Sequence, residues 1–395
     1  MNRTIVKGLL LVSFLGVTMV PEISGQISRL PRPDSLGSAF FGTSVAIDGE
    51  WAVVGATGAD QCGSNSGSVW VYRWSDGGWT LTDQLLATEC EEGAFFGHAV
   101  DLSGERIVVS AFRTFVGRAV SNHVYVFERT DAGWAQTARI PSPDLDASGP
   151  FAAALALDGD HLLVTSSGDA SGDTNGKGFL FEVTDGRWQL SHEFSSPLSL
   201  RAGTLGTSAA LKADRVVIAG STYSRNEPGF VATWSRDDGG RWHAEPTLRG
   251  IQGFFIDVDL HEDLLLVGEP RAGALASGSA RLLRWSNTGW QLEATLKPRD
   301  AYQSGSFGTR VALGDGLALV AGFDEQLELD FNVDQVVYVF ERSDATWTQR
   351  RILDIGESAF GASLDVADDR ALIGQAADGV PGQAYVATVK PNPDR

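Results

Sequence analysis

Hydrophobic and polar positions along this chain alternate in short runs, and the runs recur at a nearly fixed spacing. The first run begins with an aromatic–glycine pair and continues through alternating small and apolar residues, Phe41-Gly42-Thr43-Ser44-Val45-Ala46-Ile47. A polar turn, Asp48-Gly49-Glu50, leads into a β-branched run, Trp51-Ala52-Val53-Val54-Gly55-Ala56. Equivalent starts stand at Phe96, Phe151, Leu205, Phe254, Phe307 and Phe360, between 49 and 55 residues apart. Each unit continues through a variable loop into a third run, such as Ser68-Val69-Trp70-Val71-Tyr72 or Gln335-Val336-Val337-Tyr338-Val339-Phe340. A short turn and a Trp follow, as in Asp76-Gly77-Gly78-Trp79. Alternation with period two places successive side chains on opposite faces of a strand, and turn residues between two such runs mark a hairpin. Each unit is therefore expected to be a four-stranded antiparallel meander, strands A to D.

Self-similarity at one period decides the fold class, which is all-β. A lone meander cannot bury both faces, so the units must stack radially until the ring closes and the sheet edges are removed from contact with one another. Seven units predict a seven-bladed β-propeller. The seventh ends after its third strand, Gln383-Ala384-Tyr385-Val386-Ala387-Thr388-Val389, and lacks a fourth. The segment Gln26-Ile27-Ser28-Arg29-Leu30-Pro31-Arg32-Pro33-Asp34 resembles the fourth strands Ala138–Asp144 and Ala294–Asp300, so an N-terminal strand is expected to complete the last blade. Trp79, Trp134, Trp188, Trp242, Trp290 and Trp347 recur at one position of the unit and are expected to pack between blades rather than to stack on a sugar.

The first residues change the compartment, not the fold. Arg3 and Lys7 precede an apolar run from Gly8 to Val20, and Glu22-Ile23-Ser24-Gly25 follows. That order predicts a signal peptide over residues 1–25, cleaved near Gly25–Gln26, and a secreted propeller over residues 26–395, extracellular or periplasmic. The run is shorter than the ~20 residues a bilayer span needs, and no membrane span is expected after removal of the signal. Composition is that of a globular chain, 43% hydrophobic and 21% charged, and 46 Gly against 14 Pro suits many tight turns. The formal charge of −19 makes nucleic acid and anionic lipid poor partners and favours a soluble monomer. Cys62 and Cys90 are the only cysteines. In an exported chain they are expected to pair, because the B–C loop of the first blade and the D–A loop that leaves it emerge on one face.

The Phe-Gly start, the Val-Val-Gly-Ala ending of strand B and the variant Gly268-Glu269-Pro270 resemble FG-GAP repeats, the units of integrin α-subunit propellers and of many secreted bacterial proteins. The resemblance covers essentially residues 26–395 and implies a binding or adhesion module. Kelch units of similar period depend on a Gly-Gly pair that these units lack. In calcium-binding FG-GAP repeats the A–B turn carries an Asp-rich loop with six or more oxygens for Ca²⁺. The turns here, among them Asp48-Gly49-Glu50, Asp158-Gly159-Asp160 and Gly314-Asp315-Gly316, are too short for that cage. No metal and no cofactor is expected.

Candidate chemistry is sparse. Strand A carries Asp101, Asp259 and Asp365 where other blades have Ala46, Ala156, Ala210 and Ala312, and Asp257 lies two residues before Asp259 on the same side. Such carboxylates near an axis could hold a cation or accept hydrogen bonds from neighbouring backbone. The face of B–C and D–A loops varies most between units, and its candidate ligand-binding residues are Arg113, Asp169, Asp173, Tyr223 and Arg225. Six His are scattered without a His-Glu-x-x-His pair, and no Gly-x-Ser-x-Gly elbow is present. No catalytic residue is assigned. The expected function is a secreted module that binds a protein or glycan through its loops. The alternatives are a hydrolase or lyase with a carboxylate site at the central channel, and a structural envelope component.

Overall fold

The computed structural model describes residues 27–36, 39–111, 122–143, 151–168, 175–198, 203–222, 228–253, 256–273, 277–299, 306–324, 334–344, 346–376 and 381–390. The predicted signal peptide lies outside them. They form seven antiparallel sheets. Six are consecutive meanders, and the seventh is completed by the N-terminal strand Ile27–Arg29, which pairs Ile27 with Ala387 and Arg29 with Tyr385 on the strand Gln383–Thr388. Leu30 is buried in the apolar cluster between the last blade and the first, and the Tyr72 hydroxyl donates to the Pro31 carbonyl at 2.6 Å. The ring is a seven-bladed propeller closed by its own first strand.

The described residues form seven apolar clusters, each at a seam where two blades face one another. Phe41, Phe96, Phe151, Phe307 and Phe360, the first residues of their units, are each at most 2% exposed. The glycine after Phe41 has φ +93°, a conformation open to glycine at little cost, and a Cβ there would stand 2.3 Å from the Gln383 carbonyl oxygen. On the second strand, a Cβ at Gly55 would stand 2.3 Å from the carbonyl oxygen of Gly97 in the next blade. The two glycines of the repeat thus let the backbones of adjacent blades approach to van der Waals distance. Ser44 Oγ donates to the Gly97 carbonyl at 2.8 Å, and Ser363 Oγ donates to the Gly42 carbonyl at 2.9 Å, tightening the same approach.

The outer tryptophans serve the seams. Trp134 packs edge-on against Trp51 of the preceding blade, with ring centroids 5.5 Å apart. Guanidinium groups at the start of second strands lie over tryptophans of the next blade: Arg106 is 5.1 Å from the Trp188 ring, Arg215 is 5.8 Å from Trp290 and Arg370 is 5.8 Å from Trp79. Trp347 Nε1 donates to Glu293 and Trp290 Nε1 to Thr233, both in the preceding blade. Strands of three blades differ from a uniform meander. The outer strand of the fourth blade is split into Trp242–Ala244 and Leu248–Ile251, because Pro246 between them has no N–H for the ladder. The inner strands of the fifth and sixth blades shorten to Val258–His261 and Val311–Gly314.

Candidate functional site

Asp101, Asp259 and Asp365 occupy one position on the inner strands of blades two, five and seven. Each carboxylate spans a seam. One oxygen accepts the N–H of the following residue, Leu102, Leu260 or Val366, at 2.7 Å. The other accepts an N–H from the next blade: Leu157 at 2.6 Å, Leu313 at 2.6 Å and Ile47 at 2.7 Å. The last of these crosses the closing seam between blade seven and blade one. Asp257 makes a similar bridge, accepting the Ser208 hydroxyl of blade four at 2.9 Å and the Val311 N–H of blade six at 2.9 Å. The four acids are thereby fixed to backbone and hydroxyl donors along the seams.

Burial raises these groups. It pushes Asp101 up to about 7 and Asp259 up to about 6, against the amide hydrogen bonds that favour the ionised form. Asp365 is raised well above the ordinary carboxylate range by burial and by the charge of Asp259.

On the loop face, Cys62 and Cys90 form a disulfide with a Cα–Cα distance of 5.8 Å. It fastens the B–C loop of blade one to the segment entering blade two. Backbone hydrogen bonds run alongside it, from Gly93 N to the Ser64 carbonyl at 2.8 Å and from Phe95 N to the Asn65 carbonyl at 3.0 Å. The loop residues Arg113, Asp169, Asp173, Tyr223 and Arg225 lie outside the described residues.

The opposite face carries two-residue A–B turns, since Asp48 pairs with Trp51 and Asp158 with His161 across them. Asp48 accepts the N–H of Gly104 and Asp158 that of Ala213, each in the following blade. Turns so short, with their carboxylates already bonded to a neighbouring blade, do not supply the six oxygens a Ca²⁺ cage needs. Among the described residues no group of three or more His, Cys, Asp or Glu is placed to hold a metal ion, and no helix is long and apolar enough to cross a membrane. A cavity of about 330 Å³ lies between the turns of blades five and six, lined in part by His261, Glu262, Asp263, Asp315, Arg342 and Asp344. Sequence reasoning passed over this hollow because it looked to the variable loops. Its only trace in the sequence is the acidity of the turns His261-Glu262-Asp263 and Gly314-Asp315-Gly316.

Among known families, the model described as FG-GAP repeat matches residues 25–72 and 79–127, which span the N-terminal strand, the first blade and the second blade into its third strand. No curated protein matches the chain.

Proposed function

This chain is a seven-bladed propeller that carries FG-GAP repeats, and from that premise we propose that it is an exported binding or adhesion module whose loop face takes a protein or glycan. The observation that carries this reading is the allocation of its polar groups. The inner-strand acids that a hydrolase or lyase would need are tied to backbone donors of two blades, whereas the B–C and D–A segments are those whose sequences differ most between the units. The Cys62–Cys90 bridge supports the same face, since it holds one of those loops in place and suits an oxidising compartment.

A glycan array and capture from extracellular material test the proposal with three forms of the protein: wild type, a loop-face pair (Arg113→Ala, Arg225→Ala) and a turn-face pair (Asp131→Ser, Asp185→Ser). The expected outcome is a loss of about tenfold or more in binding for the loop-face pair only, the effect of removing about 1.4 kcal/mol of contact. Undiminished binding by the loop-face pair would move the binding surface elsewhere.

A further inference from the structure

Arg310 stands immediately before Val311–Gly314, the inner strand of blade six, and its carbonyl accepts the Ala321 N–H at 2.9 Å. It therefore belongs to the innermost row of backbone, yet its side chain is exposed. One edge of that row is paired to the second strand. Its two faces pack on the neighbouring blades, Val311 and Leu313 toward blade five and Ala312 toward blade seven. Solvent reaches the row only along the axis. Arg310 lies at the end of the row nearest the loops, which puts its guanidinium at the loop-side mouth of the axial channel.

The seam itself does not require an arginine there. The equivalent residues are Ser44, Ser208 and Ser363 in blades one, four and seven, Ala99 and Ala154 in blades two and three, and Asp257 in blade five. Ser44 and Ser363 each donate one hydroxyl to a carbonyl of the next blade. Arg310 makes the corresponding bond through Nε, to the Ala362 carbonyl at 3.0 Å, and its Nη1 donates to the Thr309 carbonyl at 2.9 Å. A guanidinium carries five N–H donors in one plane. The two bonds orient that plane and leave Nη2 without an acceptor among the described residues.

Arg310 also has no carboxylate partner among the described residues, whereas Arg106, Arg215 and Arg370 over the seam tryptophans each have one. Asp257, which bridges to Val311 beside it, holds Ser208 and that N–H, and Asp259 and Asp365 hold backbone donors of their own seams. In a chain of formal charge −19 such a guanidinium is a local exception to a field that repels anions. That field disfavours a polyanion, while an oriented planar fork suits a single carboxylate, which it meets with two parallel N–H···O bonds. We propose that Arg310 makes the loop-side mouth of the axial channel a binding site for one carboxylate carried by a small or slender ligand. The site goes beyond the loop-face reading, since it is built on an inner strand and uses none of the variable loops.

The test follows the arginine Nε–H resonances of the full, isotope-labelled chain at low ionic strength, where a surface charge is least screened. The Arg310 resonance is identified by its loss in Arg310→Ser, a change to the residue that blades one, four and seven carry at this position. The probes are the α-amide of N-acetylaspartic acid and methyl glucuronoside, with N-acetylasparagine amide and methyl glucoside as their neutral counterparts. A saturable shift of the Arg310 resonance is expected with one or both carboxylates and with neither neutral probe, and the tighter arm tells a peptide carboxylate from a sugar one. Measured by magnetisation transfer to the probe, affinity is expected to fall about tenfold or more in Arg310→Ser and to be only partly restored in Arg310→Lys, which keeps the charge without the fork. The loop-face pair Arg113→Ala, Arg225→Ala is expected to bind the probes as wild type does, so this site and the loop face are scored separately. Equal shifts from carboxylate and neutral probes, affinity undiminished in Arg310→Ser, or probe binding lost in the loop-face pair would overturn the site.

Discussion

Gly55 shows how much of this fold rests on single residues. Its φ is ordinary, so nothing local requires glycine; the requirement comes from the Gly97 carbonyl of the next blade, 2.3 Å from where a Cβ would sit. Gly104 is the converse case, with φ +58° and open space around the missing Cβ. The two separate steric from conformational cost. Gly55→Ala must push two backbones apart and is expected to destabilise by about 3 kcal/mol. Gly104→Ala pays only for a left-handed alanine and is expected to cost about 1 kcal/mol. Chemical denaturation of both variants checks the order, and equal losses would show that the blades can shift apart freely. Ala152, at the glycine position of the third blade with φ 65°, shows that the ring tolerates one such strained residue where the neighbouring backbone allows it.

At the scale of the element, the outer strands share a device that their sequences do not announce. In blade one Val71 faces Asp83 while Tyr72 faces Leu81, which leaves Thr82 as an extra residue. The same step leaves Thr137, Ser191, Glu293 and Arg350 unpaired in blades two, three, five and six. These bulges, the split strand of blade four and the three-residue strand that closes blade seven interrupt every outer edge, a recognised protection against edge-to-edge pairing. In blade five the bulge also aims Glu293 at Arg284 and Trp347. Deleting Thr82 removes the extra residue, so that either Trp79 or Leu85 must turn to the wrong face. The expected outcome is a lowered Tm with turbidity on heating, whereas Thr82→Ala, which removes one hydrogen bond to the Val71 carbonyl, costs about 1 kcal/mol. A deletion variant as stable and soluble as Thr82→Ala would remove the bulge from this role.

For the whole molecule, closure and cross-linking act on different seams. The N-terminal strand joins blade seven to blade one, and the disulfide, spanning 28 residues, fixes the passage from blade one to blade two. On the chain-entropy account a loop of that length stabilises by about 3–4 kcal/mol. The paired variant Cys62→Ser, Cys90→Ser is therefore expected to lose stability of that order in non-reducing buffer while far-ultraviolet dichroism stays that of a β protein. An unchanged Tm would mean that the backbone hydrogen bonds of residues 93–96 hold the loop alone.

The number of units, the four-strand meander, the completion of blade seven by Ile27–Arg29 and the pairing of Cys62 with Cys90 were all determined by sequence alone. They follow from alternation within a strand and from the constant order of loops around a ring, which are local properties repeated many times. Tertiary structure decided where the polar atoms go. Asp101 reaches Leu157, and Arg106 reaches Trp188, only because blade two packs against blade three. The hollow between residues 262 and 316 likewise is lined from two blades, a juxtaposition no single repeat encodes. The residues on either side of a seam are read within their own strands, and the seam exists only once the ring has closed.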